Sequence, residues 1–377
     1  MTIQKNMLVT AALMAAVTAA GAQTVVKIGS GAPLTGPNAH YGKDIENGIQ
    51  LAIEDLNRSG MTIGGKPIKF EVLSKDDASD PKTGTHIAQA LVDAKVMGVI
   101  GHFNSSTTIP ASKLYSDAGI PQISPAATNP KYTRQGFASA FRVVPTDDQL
   151  GGNIGRFAVN TLKLKRFAVI DDRTAYGQGV ADEFVKAAKE AGGEIVTRQY
   201  TNNQASDFRA VLTAVKSSKV DGIFYGGMDA QGGPMMRQMK ELGMKTILLG
   251  ADGICSPEMV KLAGDAIGTK ELYCSESGVA LTEMPGGVQF RDRFKARFGM
   301  DVQVYSPYAY DAMMIMASAM KKADSVDPKA YLPELKRIRH NGVTGNIEFD
   351  NKGDLKAPTM TIYTFHGPKR EAIAVIK

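Results

Sequence analysis

The chain has 377 residues, 43% of them apolar, with 44 lysines and arginines against 38 acids, a net charge of +6 and two cysteines. The cations are scattered among acids rather than gathered into a patch, which argues against a nucleic-acid partner. The length exceeds what one core usually supports, so two lobes of about 100 to 200 residues each are expected.

At the amino end Lys5 precedes an apolar run from Met7 to Ala20, and Ala20-Gly-Ala22 follows. This is the pattern of a secretory signal peptide with an A-x-A cleavage site, because the run is too short for a membrane span. Residues 1–22 are therefore set aside, and no cysteine follows them to carry a lipid. The mature chain is expected to be soluble outside the cytoplasm, where Cys255 and Cys274 form a disulfide by default, two buried free thiols being the alternative.

Beyond the leader, Val25 to Gly29 reads as a strand, and Ile45, Ile49, Ala52, Ile53 and Leu56 recur at helical spacing. The pattern repeats with strand 67–73, helix 81–93, strand 96–100, helix 110–118 and strand 121–124. Asp80-Pro81 supplies a cap and a first-turn proline for the second helix. The polar stretch 141–152 interrupts the alternation. It resumes with strands at 166–170, 194–199, 220–225 and 246–250, separated by helices at 179–191, 208–216 and 233–242. A helix over 306–322 and a late strand over 359–365 suggest that the chain crosses between lobes more than once. The economical fold class is α/β, two doubly wound halves with parallel sheets flanked by helices.

Open α/β sheets bind ligands past the carboxyl ends of their strands, so those loops are the place to look. In the first half they read GHFNSST after the third strand and SPAATNP after the fourth. In the second half they read DDRTAYG, YGGMDAQGG and GADG. The first set offers hydroxyls and helix-start N–H groups, which favour an anion; the second offers tyrosine and the carboxylate of Asp252, which favours a cation. A zwitterion bridging both is an α-amino acid. Taken singly, each loop is also an ordinary set of turn and capping residues.

Enzymatic and metal readings find less support. GSGAPLTG lacks the Gly-Lys-Ser/Thr of a phosphate loop, and Leu34 stands where a dinucleotide loop needs glycine. Ser105 has no nucleophile elbow around it, so His102 reads as structural. Asp76, Asp77 and Asp80 read as a turn and cap, and the histidines form no ligand pair. Met228, Met235, Met236 and Met239 read as a packed helix face. No catalytic residue, cofactor or metal is expected.

In order along the chain, GAPLTGPNAHYG, DDASDP, GHFNSSTTIPAS, SPAATNP, DDRTAYGQG and GADG resemble the periplasmic leucine/isoleucine/valine-binding proteins of ABC transporters. The resemblance spans the whole mature chain. It implies two Rossmann-like lobes, 23–144 plus 277–359 and 145–276 plus 360–377, joined by three crossovers that form a hinge, the type I periplasmic binding fold. It further implies a monomer that closes on its ligand and delivers it to the membrane permease of an importer.

By the same resemblance, Ser105 and Thr128 bind the ligand carboxylate, with Ala127 beside them, while the Ala126 carbonyl and Asp252 receive the ammonium. Tyr176 joins on closure, and Tyr41 and Met228 line the side-chain pocket. Four positions depart from the pattern. Ser79 and Asn104 replace a cysteine pair, Met228 replaces an aromatic residue, and Asp252 replaces a glutamate. Binders of amides, urea, aromatic acids and other amino acids share this fold, and one of those ligands is the alternative to leucine, isoleucine or valine.

Overall fold

The computed structural model describes residues 23–377; the expected signal peptide, 1–22, lies outside the described residues. The first lobe is built from β1 (Thr24–Ala32), α1 (Ala39–Arg58), β2 (Thr62–Ile63), β3 (Lys66–Asp76), α2 (Pro81–Asp93), β4 (Val99–Gly101), α3 (Ser105–Asp117), β5 (Gln122–Ser124), α4 (Lys131–Arg134) and β6 (Ala140–Arg142). Its sheet has the order β2-β3-β1-β4-β5-β6, parallel except for β2.

The chain then crosses into α5 (Asp147–Asn160), β7 (Arg166–Asp171), α6 (Ala175–Glu190), β8 (Glu194–Tyr200), α7 (Arg209–Ser217), β9 (Gly222–Gly226), α8 (Asp229–Glu241), β10 (Ile247–Gly250), α9 (Pro257–Ala263) and β11 (Thr269–Ser277). It returns for α10 (Gly287–Phe298), α11 (Ser306–Lys322), α12 (Pro328–Lys336) and the small hairpin β12 (Arg339–Asn341) and β13 (Asn346–Glu348). A last crossing brings β14 (Met360–His366) and β15 (Lys369–Ile376) to the second sheet, ordered β15-β14-β11-β10-β9-β7-β8. The fold is thus two α/β lobes joined by three crossovers.

Both sheets reverse their strand order at their first strand. From β1 the chain goes to β3 on one side and β4 on the other; from β7 it goes to β8 and then β9. Each reversal splays the connecting loops apart and leaves a crevice at the carboxyl ends. The residues expected in the site gather there from both lobes.

Helix starts differ from the sequence reading in one consistent way. Helices expected at 110, 179 and 233 begin at Ser105, Ala175 and Asp229. Pro110 and Pro234 stand inside α3 and α8, where each helix forgoes one backbone bond, rather than in the first turn that proline usually favours. The hydroxyl run of GHFNSST therefore lies on the opening turn of α3, with Thr107 and Thr108 hydroxyls donating to the Asn104 carbonyl at 2.9 and 2.8 Å.

The polar stretch 141–152 is likewise no irregular break: it is the end of β6 followed by α5. The Thr146 N–H donates to Gln149 Oε1 at 2.9 Å and starts that helix. Gly151 speaks against a helix by propensity, yet a Cβ there would lie 2.4 Å from the Val180 carbonyl oxygen, so α5 and α6 require it to touch.

The returning segment is anchored on α1. The Asp44 carboxylate accepts the backbone N–H of Tyr305 and Ser306 at 2.7 and 2.8 Å, capping α11 from outside. Arg293 reaches both oxygens of Asp55 at 2.6 Å. Buried Ile45, Ile49 and Ala52 of α1 and Ala309, Met313 and Met316 of α11 share one core. Met235, Met236 and Met239 belong to a second core in the other lobe.

Candidate ligand-binding cleft

All eight residues expected in the site are nearly inaccessible, Met228 at 6% being the most exposed. The cleft is closed: the Ala175 N–H donates to Ser106 Oγ at 2.9 Å and Asn129 Nδ2 donates to the Ala175 carbonyl at 2.7 Å, tying the start of α6 to the first lobe.

On the first-lobe side, Ser105 opens α3 and its Oγ accepts the Asn129 N–H at 3.2 Å, which sets it beside the 126–129 loop. Ser124 Oγ accepts the N–H groups of Ala126 and Ala127 at 3.3 and 2.9 Å. Arg142, buried at the end of β6, donates to the Ala127 carbonyl at 2.6 Å and the Asn129 carbonyl at 2.9 Å while its Nε meets Asp354 at 2.6 Å. Sequence reasoning passed over Arg142, yet it fixes the loop that carries Ala126, Ala127 and Thr128. The Thr128 hydroxyl is buried and has no partner among the described residues.

On the second-lobe side, the Tyr176 hydroxyl donates to Asp252 Oδ1 at 2.8 Å and accepts the Gly253 N–H at 2.8 Å. Tyr305, another residue the sequence reading missed, crosses from the first lobe to donate to Asp252 Oδ2 at 3.0 Å. Burial pushes the Asp252 carboxyl up to about 6, against the pull of both tyrosine hydroxyls. A carboxylate accepts about four bonds, so Asp252 keeps capacity for a cationic group.

Tyr41 donates to Asp229 Oδ2 at 2.9 Å, and its ring stacks on Phe103 with centroids 5.0 Å apart and meets Tyr305 edge-on at 5.4 Å. Phe103 stood inside the motif GHFNSST without being assigned a role; with Tyr41 and Tyr305 it makes an aromatic wall. Met228 stands just before the first residue of α8. It also lines a pocket of about 240 Å³ with Asn38, Ser79 and Asn104, which brings the two positions of the replaced cysteine pair to one place.

Asp147, the first residue of α5, is a further carboxylate that the sequence reading left unassigned. Its N–H donates to the Thr128 carbonyl at 2.9 Å, and neither of its buried oxygens has a donor among the described residues. Burial, and then the charge of Asp252, push it well above the usual carboxylate range. Its signal in the sequence was an acid directly after a predicted crossover.

Cys255 and Cys274 are bonded, with Cα atoms 5.4 Å apart, and so tie the loop bearing Asp252 to β11. His102 bonds Asp77 at 2.9 Å and Tyr115 at 3.0 Å, all three buried away from any nucleophile geometry.

Two lobes of matching design, with the Ser105 and Thr128 hydroxyls from the first and the Asp147 and Asp252 carboxylates from the second enclosed at a shared cleft, define a protein that traps a small solute. The chain belongs to the periplasmic binding protein family, whose model matches residues 25–368. A Leu/Ile/Val-binding protein homolog of Brucella abortus is 38% identical over 340 residues, 90% of each chain. Among solved structures, the leucine-binding protein LivK of Thermotoga maritima superposes with a TM-score of 0.86 at 26% identity, covering 93% of this chain and 98% of that one. The branched-chain amino acid substrate-binding protein LivJ of Streptococcus pneumoniae, solved with isoleucine, gives 0.84 at 27%, covering 94% and 99%.

Proposed function

We propose that this chain is the solute-binding component of an ABC importer, which encloses an α-amino acid, leucine, isoleucine or valine first, and hands it to a membrane permease. It works as a periplasmic monomer after loss of residues 1–22 and binds without turnover. The lobes are 23–144 plus 277–359 and 145–276 plus 360–377, hinged near residues 145, 276 and 360. The names of the relatives support the ligand class.

The observation that carries the reading is the division of the buried polar groups. Ser105, Thr128 and the start of α3 make an anion seat, while the carboxylates of Asp252 and Asp147 suit a cation. Tyr41, Phe103, Tyr305 and Met228 supply the apolar surface for a branched side chain. A few charge-assisted bonds of about 1.5 to 3 kcal/mol each, plus that burial, reach the ~8 kcal/mol of a micromolar binder after ordering costs.

A second reading, an amide or aromatic-acid binder, draws on one feature: each Asp252 oxygen already accepts a tyrosine hydroxyl, so the aspartate is held without an ammonium. Thermal unfolding of residues 23–377, stripped of carried-over ligand, separates the two. Branched aliphatic amino acids are expected to raise the midpoint. A rise only with ligands lacking an α-ammonium rejects the first reading and keeps the second.

A further inference from the structure

His40 and Asp229 meet across the cleft, beside Tyr41 of the pocket wall. His40 is the second residue of α1 in the first lobe, with its side chain 18% exposed; Asp229 opens α8 in the second lobe and is fully buried. His40 Nε2 lies 3.0 Å from Asp229 Oδ2. The same oxygen accepts the Tyr41 hydroxyl at 2.9 Å and the Ser256 hydroxyl from the start of α9. One hydroxyl from each lobe thus aims the carboxylate at the imidazole.

The charged groups around His40 are acidic on every side that packs against it. Besides Asp229 on α8 they are Glu258 on α9, which Lys261 partly neutralises at 2.7 Å, and Asp44 one turn along α1, already bonded to the start of α11. Burial opposes a charge on His40, but the bond to Asp229 and the three acids outweigh it and raise the imidazole above its ordinary value.

We infer that His40 and Asp229 form a proton-operated latch between the lobes, in which the protonated imidazole holds the cleft closed and its deprotonation eases opening. The inference rests on the hinged closure proposed above and not on the identity of the ligand. Opening draws α1 away from α8, so His40 returns to water and to its ordinary value near 6.5. Closure therefore takes up a proton. The closed form is favoured at low pH, and the advantage fades as pH rises through the raised value of the closed state. By linkage the same factor enters ligand affinity, because only the closed form encloses the ligand.

Asp252 works in the opposite direction, since its ionisation at rising pH favours an ammonium, so a single pH profile mixes the two. His40→Gln keeps a hydrogen-bonding side chain without the titration and leaves Asp252 untouched. Leucine affinity is measured by calorimetry at about pH 5.5 and about pH 8.5, on either side of the histidine range, for the natural chain and the variant. The ratio of the two dissociation constants is expected to be about 5-fold larger in the natural chain, the lower end of usual couplings between sites. Equal ratios overturn the latch, as does an Asp229→Asn variant that retains the natural ratio.

If leucine binds at neither pH, the ligand reading fails, and the latch is read without ligand. X-ray scattering of the stripped protein is then expected to show a smaller radius of gyration at the lower pH, with the difference lost in His40→Gln. A radius that does not change with pH overturns the latch independently.

Discussion

Asp252 and Arg142 illustrate two ways in which one buried charged side chain governs a site. In the proposed function Asp252 receives the ligand's ammonium, so Asp252→Asn is expected to weaken leucine binding by about 2 to 5 kcal/mol while circular dichroism stays unchanged. With its carboxyl pushed up to about 6, the ligand-free protein carries it neutral below that value. Folding stability from this group is present below the ordinary carboxyl range and is lost as pH rises to about 6; leucine affinity moves the other way and falls as pH drops through 6. Calorimetry across that range checks the sign, and Asp252→Asn is expected to lose the limb near 6. Arg142 acts through the loop it holds. Arg142→Met strands the partly buried Asp354 and the carbonyls of Ala127 and Asn129, at a cost of about 3 to 5 kcal/mol in urea unfolding.

At the scale of elements, what matters is how loops and helix starts are held at the cleft. The disulfide spans 19 residues and fastens the Asp252 loop to β11, one of the strands that leads into a crossover. Replacing Cys255 and Cys274 together by alanine is expected to cost about 3 kcal/mol, read as a lower unfolding midpoint that reductant no longer shifts. Helix α5 shows why some elements escaped the sequence reading. Its glycines and polar first turn look like a loop, and only contact with α6 makes Gly151 an asset. The prolines of α3 and α8 misled in the same way: a helix embedded in packing tolerates one lost bond that an isolated helix would not.

For the molecule as a whole, the proposed hinge makes the closed cleft an equilibrium position and not a fixed shape. Leucine at about 100 times its dissociation constant is expected to stabilise the fold by about 2.7 kcal/mol. In scattering it is expected to reduce the radius of gyration, because closure brings α6 against α3 as the Ala175–Ser106 bond requires. A midpoint shift without contraction would show binding to an already closed protein and contradict the hinge.

The sequence by itself determined the class of fold and the addresses of the cleft. Apolar periodicity and chain order fix alternating strands and helices, and any residue just past a strand of an open α/β sheet stands at the binding edge; Ser105, Thr128, Tyr176 and Asp252 were legible for that reason. Tyr305, Phe103, Asp147 and the pair His40 and Asp229 were not. Their roles depend on contacts between segments up to about two hundred residues apart, which leave no local spacing to read. Only the tertiary structure decides which hydroxyl reaches which carboxylate, because that is set by how two lobes, each satisfied within itself, close on one another.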